Sequence, residues 1–194
     1  MAAETSPAFA GDSLKGKILI AMPDMADPRF ANGVIVMLEH GPEGAMGVMI
    51  NKPLDAVEFD DLLDQLEIKT EMENGDDYPV YFGGPVEIGR GFVLHSTDMM
   101  LSHTLQLPPL AVTTSLDMLD HIAKGTGPKE SIFCLGYTGW TAGQLDEEMK
   151  QNAWLHAPLD AQILFNIPAD QRWSKAMKLA GVDPDFLSSD AGHA

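Results

Sequence analysis

Apolar runs of four to six residues, separated by short polar breaks rich in Gly and Pro, carry the first half of the chain. Lys17–Met22 reads as a buried strand, stopped by the turn-forming loop Pro23–Pro28. Val34–Leu38 and Met46–Ile50 are continuous apolar runs flanking His40-Gly41-Pro42-Glu43-Gly44. That spacing predicts a β-hairpin with a longer loop, both strands covered on two faces and central in a sheet. Asn51-Lys52-Pro53 ends the second strand, because proline disfavours continuation. Phe59, Leu62, Leu63 and Leu66 then recur at helical spacing, with Glu58, Asp60, Asp61 and Asp64 on the wet side. Residues 69–77 are polar and end in Asn74-Gly75-Asp76-Asp77, a surface loop. Val80–Phe82 is a short strand running into Gly83-Gly84-Pro85, where a tight turn after an edge strand is expected. Gly91–His95 is another strand, and Thr104–Leu107 and Leu110–Thr113 are two more, broken by Pro108-Pro109.

Helical periodicity grows toward the C-terminus. Leu116, Leu119 and Ile122 predict a helix opened by a Thr114/Asp117 capping box and closed by Gly125 and Gly127-Pro128. Ser131–Leu135 is a buried strand that feeds Gly136–Leu145, where three glycines and two aromatics fall within ten residues. This stretch reads as a Gly-rich junction, with a helix starting at Thr141 through a Thr141/Gln144 capping box. Asp146, Glu147 and Glu148 suit the early turns of that helix and Lys150 its end. Ala153–Leu155 and Gln162–Phe165 read as short extended segments. Trp173, Ala176, Met177 and Ala180 mark a last helix, stopped by Gly181. Strands gather early and helices late, with no internal repeat, which predicts an α+β domain on a mixed sheet over residues 14–187. Residues 1–13 and 188–194 read as tails.

Composition narrows the function classes. At 45% hydrophobic content, the 194 residues can bury a substantial core. Asp and Glu number 29 against 12 Lys and Arg, a net charge of −17 that repels phosphate backbones at long range. Arg29, Lys52, Arg90, Lys124 and Lys129 are isolated in sequence, so no basic patch offsets that field, and direct nucleic-acid contact is not expected. No apolar run reaches the roughly 20 residues of a membrane span, and the N-terminus lacks a signal-peptide pattern, so the expectation is a cytoplasmic protein. The single Cys134 lies between Phe133 and Leu135, as a buried core thiol rather than a nucleophile.

Candidate chemistry concentrates at the glycine-rich stretches. A strand, Gly-rich turn and helix can aim backbone N–H groups at an anion. Gly136-x-x-Gly139-x-x-x-Gly143, however, matches neither the P-loop nor the dinucleotide fingerprint, and its own capping box competes for the same donors. Gly83 and Gly84 permit close approach of a ligand, or simply a turn. Lys52 and His95 end strands of one sheet; Lys52 could pair with an anion and His95 could supply acid–base chemistry. Asn51, Lys52, Gly83, Gly84, His95, Gly139 and Trp140 are therefore the candidate ligand-binding residues, with Trp140 and Trp154 either core anchors or groove walls. His40, His95, His103, His121, His156 and His193 show no metal-ligand spacing, so no metal, cofactor or catalytic set is assigned. Met99-Met100 is the methionine pair that suggests an exposed apolar surface.

The ordered set Asp27-Pro28-Arg29-Phe30, Gly44-Ala45-Met46-Gly47, Asn51-Lys52-Pro53, Gly83-Gly84-Pro85, Gly91–His95, Gly136–Trp140, Gly143-Gln144-Leu145, Asn152–Leu155, Arg172-Trp173 and Gly192-His193-Ala194 resembles the bacterial AlgH/YqgE family. The resemblance covers about residues 14–194. It implies a curved, bifurcated sheet folded into a pseudo-barrel with helices packed on it. It also implies a label of transcriptional regulator, drawn from a genetic link to exopolysaccharide control, and no established enzyme activity, cofactor or DNA-binding motif. The expected function is non-enzymatic binding of a protein or small-molecule partner with a regulatory output. The alternative is a ligand sensor or enzyme using Lys52 and His95.

Overall fold

A computed structural model describes residues 12–73 and 77–187. The two expected tails, apart from residues 12 and 13, lie outside these residues, as do positions 74–76 of the polar loop and the terminal Gly192-His193-Ala194. Nine strands are present among the described residues: β1 (Lys17–Ala21), β2 (Val34–Gly41), β3 (Gly44–Met49), β4 (Val80–Phe82), β5 (Val86–Ser96), β6 (Leu105–Leu107), β7 (Leu110–Thr113), β8 (Ser131–Thr141) and β9 (Trp154–Pro158). They form one curled sheet in the order β6-β7-β5-β8-β3-β2-β1-β9, antiparallel along that path, with β4 parallel to β8. The described residues also form six helices, α1 (Phe59–Gln65), α2 (Leu116–Ala123), α3 (Gln144–Lys150), α4 (Ala161–Phe165), α5 (Ala169–Leu179) and α6 (Pro184–Leu187), the first five packed on the sheet and α6 against α5.

The continuous apolar runs follow from coverage of both sheet faces. Side chains alternate across a strand. Ile18 and Ile20, Val34 and Val36, Phe92 and Leu94, and Ile132 and Cys134 all turn to one concave interior, which α4 and α5 close with Ile163, Leu164, Ala176 and Met177. The intervening residues face outward into two separate clusters. Leu19, Ile35 and Met37 join Trp140, Trp154 and Leu145 of α3. Val93 and Phe133 meet Phe59 and Leu63 of α1 and Met118, Leu119 and Ile122 of α2. Each fully buried apolar side chain of this kind contributes about 1.5–3 kcal/mol.

β8 joins the two halves of the sheet. On one flank it pairs with β5, from His95↔Ser131 to Val86↔Tyr137. On the other flank it pairs first with β4 (Phe82↔Leu135) and then with β3 (Gly47↔Thr138 to Gly44↔Thr141). Gly83 stands where these two partners diverge: its N–H donates to the Leu135 carbonyl at 2.7 Å and its carbonyl accepts from Met49 N at 2.8 Å. The chain then passes across the β8 backbone to begin β5. A Cβ at Gly83 would overlap the Gly136 carbonyl, and one at Gly84 would overlap the Tyr137 backbone. Gly136 answers with a left-handed backbone (φ +76°), and a Cβ there would overlap the Gly84 carbonyl.

Several expectations are corrected. Gly136–Thr141 is strand, not a Gly-rich turn, because the sheet exchanges β4 for β3 there and pairing continues. α3 therefore starts at Gln144 behind a left-handed Gly143; the Gln144 side chain does reach back to Thr141 N at 3.0 Å, but Thr141 caps no helix N–H. Gly83-Gly84-Pro85 is a chain crossing rather than a turn after an edge strand: Lys52–Leu54 pairs with the outer side of β4. The hairpin loop shrinks to Pro42-Glu43, since Gly41 and Gly44 still pair. β5 runs from Val86, longer than Gly91–His95, through an irregular register between Val86 and Gly91. In α2 the N-cap is Ser115 without a side-chain cap, and Leu116 is 56% exposed. Gln162–Phe165 is helical because Asp160 caps Gln162 N at 2.9 Å.

Gly84→Ala is expected to cost about 3 kcal/mol or to prevent folding. Gly139→Ala, whose new Cβ would meet only Tyr137 and Val86 side-chain atoms at 3.7 and 4.0 Å, is expected to change stability by less than about 1 kcal/mol. Urea unfolding of the two variants checks the contrast.

Candidate functional site

The end of β8 carries an open cleft of about 500 Å³. Gly139 and Tyr137 form its floor beside Met46 of the neighbouring β3; Trp140 and its pair Ala45 also border it, with their side chains turned to the other face, and Glu39 and Glu43 stand at its margin. A bulge at Leu38 separates the pairs Met37↔Gly47 and Glu39↔Met46, and beyond it β2 leaves the core, which places Glu39 at this margin. The missing side chain at Gly139 leaves the cleft open.

Trp140 is held rigidly. Its indole N–H donates to Glu148 Oε2 at 3.0 Å, and the Trp154 indole donates to the same oxygen at 2.8 Å. Gln144 Nε2 donates to the second carboxylate oxygen, Oε1, at 3.0 Å. The two indoles meet edge to face at 6.0 Å, and Phe30 meets Trp154 in the same way at 5.9 Å. One carboxylate on α3 thus fixes both tryptophans; the sequence showed Glu148 only as an acid suited to an early helical turn. The core-anchor reading holds for the Trp140 indole, which is 7% exposed and packs with Trp154 and Leu145 on the sheet face opposite to Gly139.

The other five candidates lie elsewhere, and none of them lines this cleft. Asn51 closes the start of β2, accepting from Val34 N at 2.8 Å and donating to the Asn32 carbonyl at 2.7 Å. Lys52 donates to the Ala31 carbonyl, and partial burial lowers its pKa. Gly83 and Gly84 pack against β8 as described. His95 is fully buried in β5. Its Nδ1 bonds the Ser96 carbonyl at 2.9 Å, so Nδ1 carries the hydrogen, and Nε2 lies 2.8 Å from Thr113 Oγ1. Thr104 Oγ1 is 2.7 Å from the same Thr113 oxygen. Burial lowers the His95 pKa, opposed by its bond to Ser96 and the charge of Asp98. Cys134 is fully buried, and burial pushes its thiol well above the ordinary range.

A second cleft, of about 460 Å³, opens at the other end of β8. Arg172 of α5 lines it, 4% exposed, with Tyr78, Tyr81, Ser131 and Phe165. The signal was available in sequence, because residue 172 lies on the same helical stripe as Ala176, Met177 and Ala180. An arginine there must find buried acceptors. Among the described residues no group of three or more His, Cys, Asp and Glu could hold a metal ion, and no helix is long and apolar enough to cross a membrane.

An AlgH-like family model matches residues 18–185. A UPF0301 protein of Ralstonia nicotianae is 45% identical over 183 residues, covering 94% of this chain and 96% of that protein. One of Stutzerimonas stutzeri is 47% identical over 191 residues, covering 98% of each. The solution structure of the AlgH protein of Pseudomonas aeruginosa is similar over the whole of both chains, with 44% identity and a TM-score of 0.77. The crystal structure of a protein from Corynebacterium diphtheriae shares the fold at 21% identity and a TM-score of 0.66, over 91% of this chain and 89% of that one.

Two predictions follow from the buried polar groups. Glu148→Ala leaves two indole N–H groups without their acceptor; a loss of about 2–3 kcal/mol in urea unfolding is expected, with a red shift of tryptophan emission. For His95 the folded pKa lies below the unfolded value, so the unfolded chain takes up the proton first as pH falls. Wild-type stability should therefore drop between about pH 7 and pH 5 more steeply than that of His95→Gln. Equal slopes in urea titrations would contradict the assignment.

Proposed function

The chain belongs to the AlgH-like family, and on that premise we propose that it works in the cytoplasm as a non-enzymatic binding protein with a regulatory output. The observation that carries the reading is the Gly139–Trp140 cleft. The strand that floors it is braced from the opposite face by Trp140, which Glu148 holds before any partner arrives, so binding need not order it. The groups that could have supported acid–base or nucleophilic chemistry are engaged within the fold: His95 through both ring nitrogens, Lys52 on a carbonyl, and Cys134 inside the core.

The margin selects the partner's chemistry. Glu39 and Glu43 flank an apolar and aromatic floor, which suits a protein segment that brings one apolar anchor and basic side chains. The net charge of −17 favours such a segment at long range and opposes direct contact with nucleic acid. Regulation then acts through this protein contact rather than through DNA. Gly139 is the contact residue in this reading, braced from behind by Trp140; Asn51, Lys52, Gly83, Gly84 and His95 hold the scaffold that presents them.

Gly139→Arg fills the cleft from a position that has room for a side chain. Co-purification with tagged wild-type and tagged Gly139→Arg chains, quantified by mass spectrometry, should show a partner depleted about tenfold or more by the substitution. An unchanged set of partners, or a small molecule turned over by the wild-type protein in an unbiased substrate screen, would contradict the reading.

A further inference from the structure

The cleft at the start of β8 has a different chemistry. Arg172 approaches three acceptors, the Ile50 and Ile167 carbonyls and the Tyr81 hydroxyl, and all are neutral. Among the described ion pairs none includes Arg172. A guanidinium has five N–H donors in a fixed fork, so two remain beyond these bonds. A buried charge without a counter-charge is costly, and an anion arriving in the cleft relieves that cost. The Tyr81 ring lies 5.0 Å from the guanidinium carbon and holds it in place.

The remaining walls define what could carry the anion. Tyr78 and Phe165 supply aromatic surface, with Ile122 and Leu164 behind them. The Tyr78 hydroxyl and Ser131 Oγ are 2.6 Å apart; whichever donates, the other keeps a hydrogen for a further oxygen. Lys129 and Glu130 are adjacent on the exposed rim, so charge selection comes from the buried Arg172. A volume of about 460 Å³ is that of a small-molecule site. We propose that this cleft binds a small organic anion whose carboxylate or phosphate meets Arg172 and whose flat apolar body lies against Tyr78 and Phe165. The site is separate from the Gly139–Trp140 cleft, so each assignment can fail without the other.

Arg172 also braces Ile50 and Ile167, so the test uses wild-type protein and varies the probe. Benzoate, phenyl phosphate and benzamide are titrated against the labelled chain, with amide shifts and calorimetry as readouts. At least one of the two anions should shift amides near Tyr78, Tyr81 and Ser131 with a dissociation constant of about 0.1–5 mM. Benzamide, which keeps the ring without the charge, should bind about tenfold more weakly or less, and the tighter anion identifies the oxyanion preferred. The proposal is overturned by benzamide binding as tightly as the better anion. It is equally overturned by shifts confined to other surfaces, or by no binding of either anion at about 10 mM.

Discussion

The backbone of Gly83-Gly84-Pro85 lies directly on that of Gly136-Tyr137, and the architecture depends on this contact. β8 can exchange β4 for β3 on one flank only if β3 and β4 diverge beside it. The chain leaving β4 must then cross to the opposite flank to become β5. Two backbones can approach this closely only where side chains are absent from the crossing. The left-handed Gly136 provides the remaining room. Curling of the sheet into a half-barrel, and the single interior cluster drawn from both halves, follow from that exchange of partners.

The same strand carries both clefts. At roughly 3.3 Å per residue, Ser131 and Thr141 are about 30 Å apart along β8. The first end meets a cationic floor at Arg172, and the second meets an acidic margin at Glu39 and Glu43. The two tryptophans and Glu148 brace the second end much as Arg172 braces the first through Ile50 and Ile167. In each case a charged side chain is held by hydrogen bonds, and the groups it fixes line or support a cleft. The two ends of one strand thus differ in charge character.

Much of the fold was legible because burial on two faces leaves continuous apolar runs. Val34–Leu38 and Met46–Ile50 announce central strands, Ser131–Leu135 a buried one, and the Trp173–Ala180 stripe announces α5. The glycine-rich end of β8 reads as a turn for a physical reason: a chain crossing and a tight turn call for the same residue. Gln162–Phe165 reads as extended because Ile-Leu-Phe suits a strand as well as a helix, and only Asp160 in front of it signals a cap. In the site, Gly139 and Trp140 share a cleft, whereas Lys52 and His95 share no hydrogen-bond partner. Strand ends near in sequence pattern need not converge on a curled sheet. The helical stripe signals that Arg172 is buried but not what it bonds, and the role of Glu148 is set by partners on neighbouring strands.

Native-state hydrogen exchange across the crossing tests the central claim most directly. The account predicts that the amides of Gly83 and Met49, which bond Leu135 and Gly83, exchange only through global unfolding, with the same free energy as the paired amides of β8. Exchange of Gly83 and Met49 at a distinctly lower free energy, with β8 still protected, would contradict it.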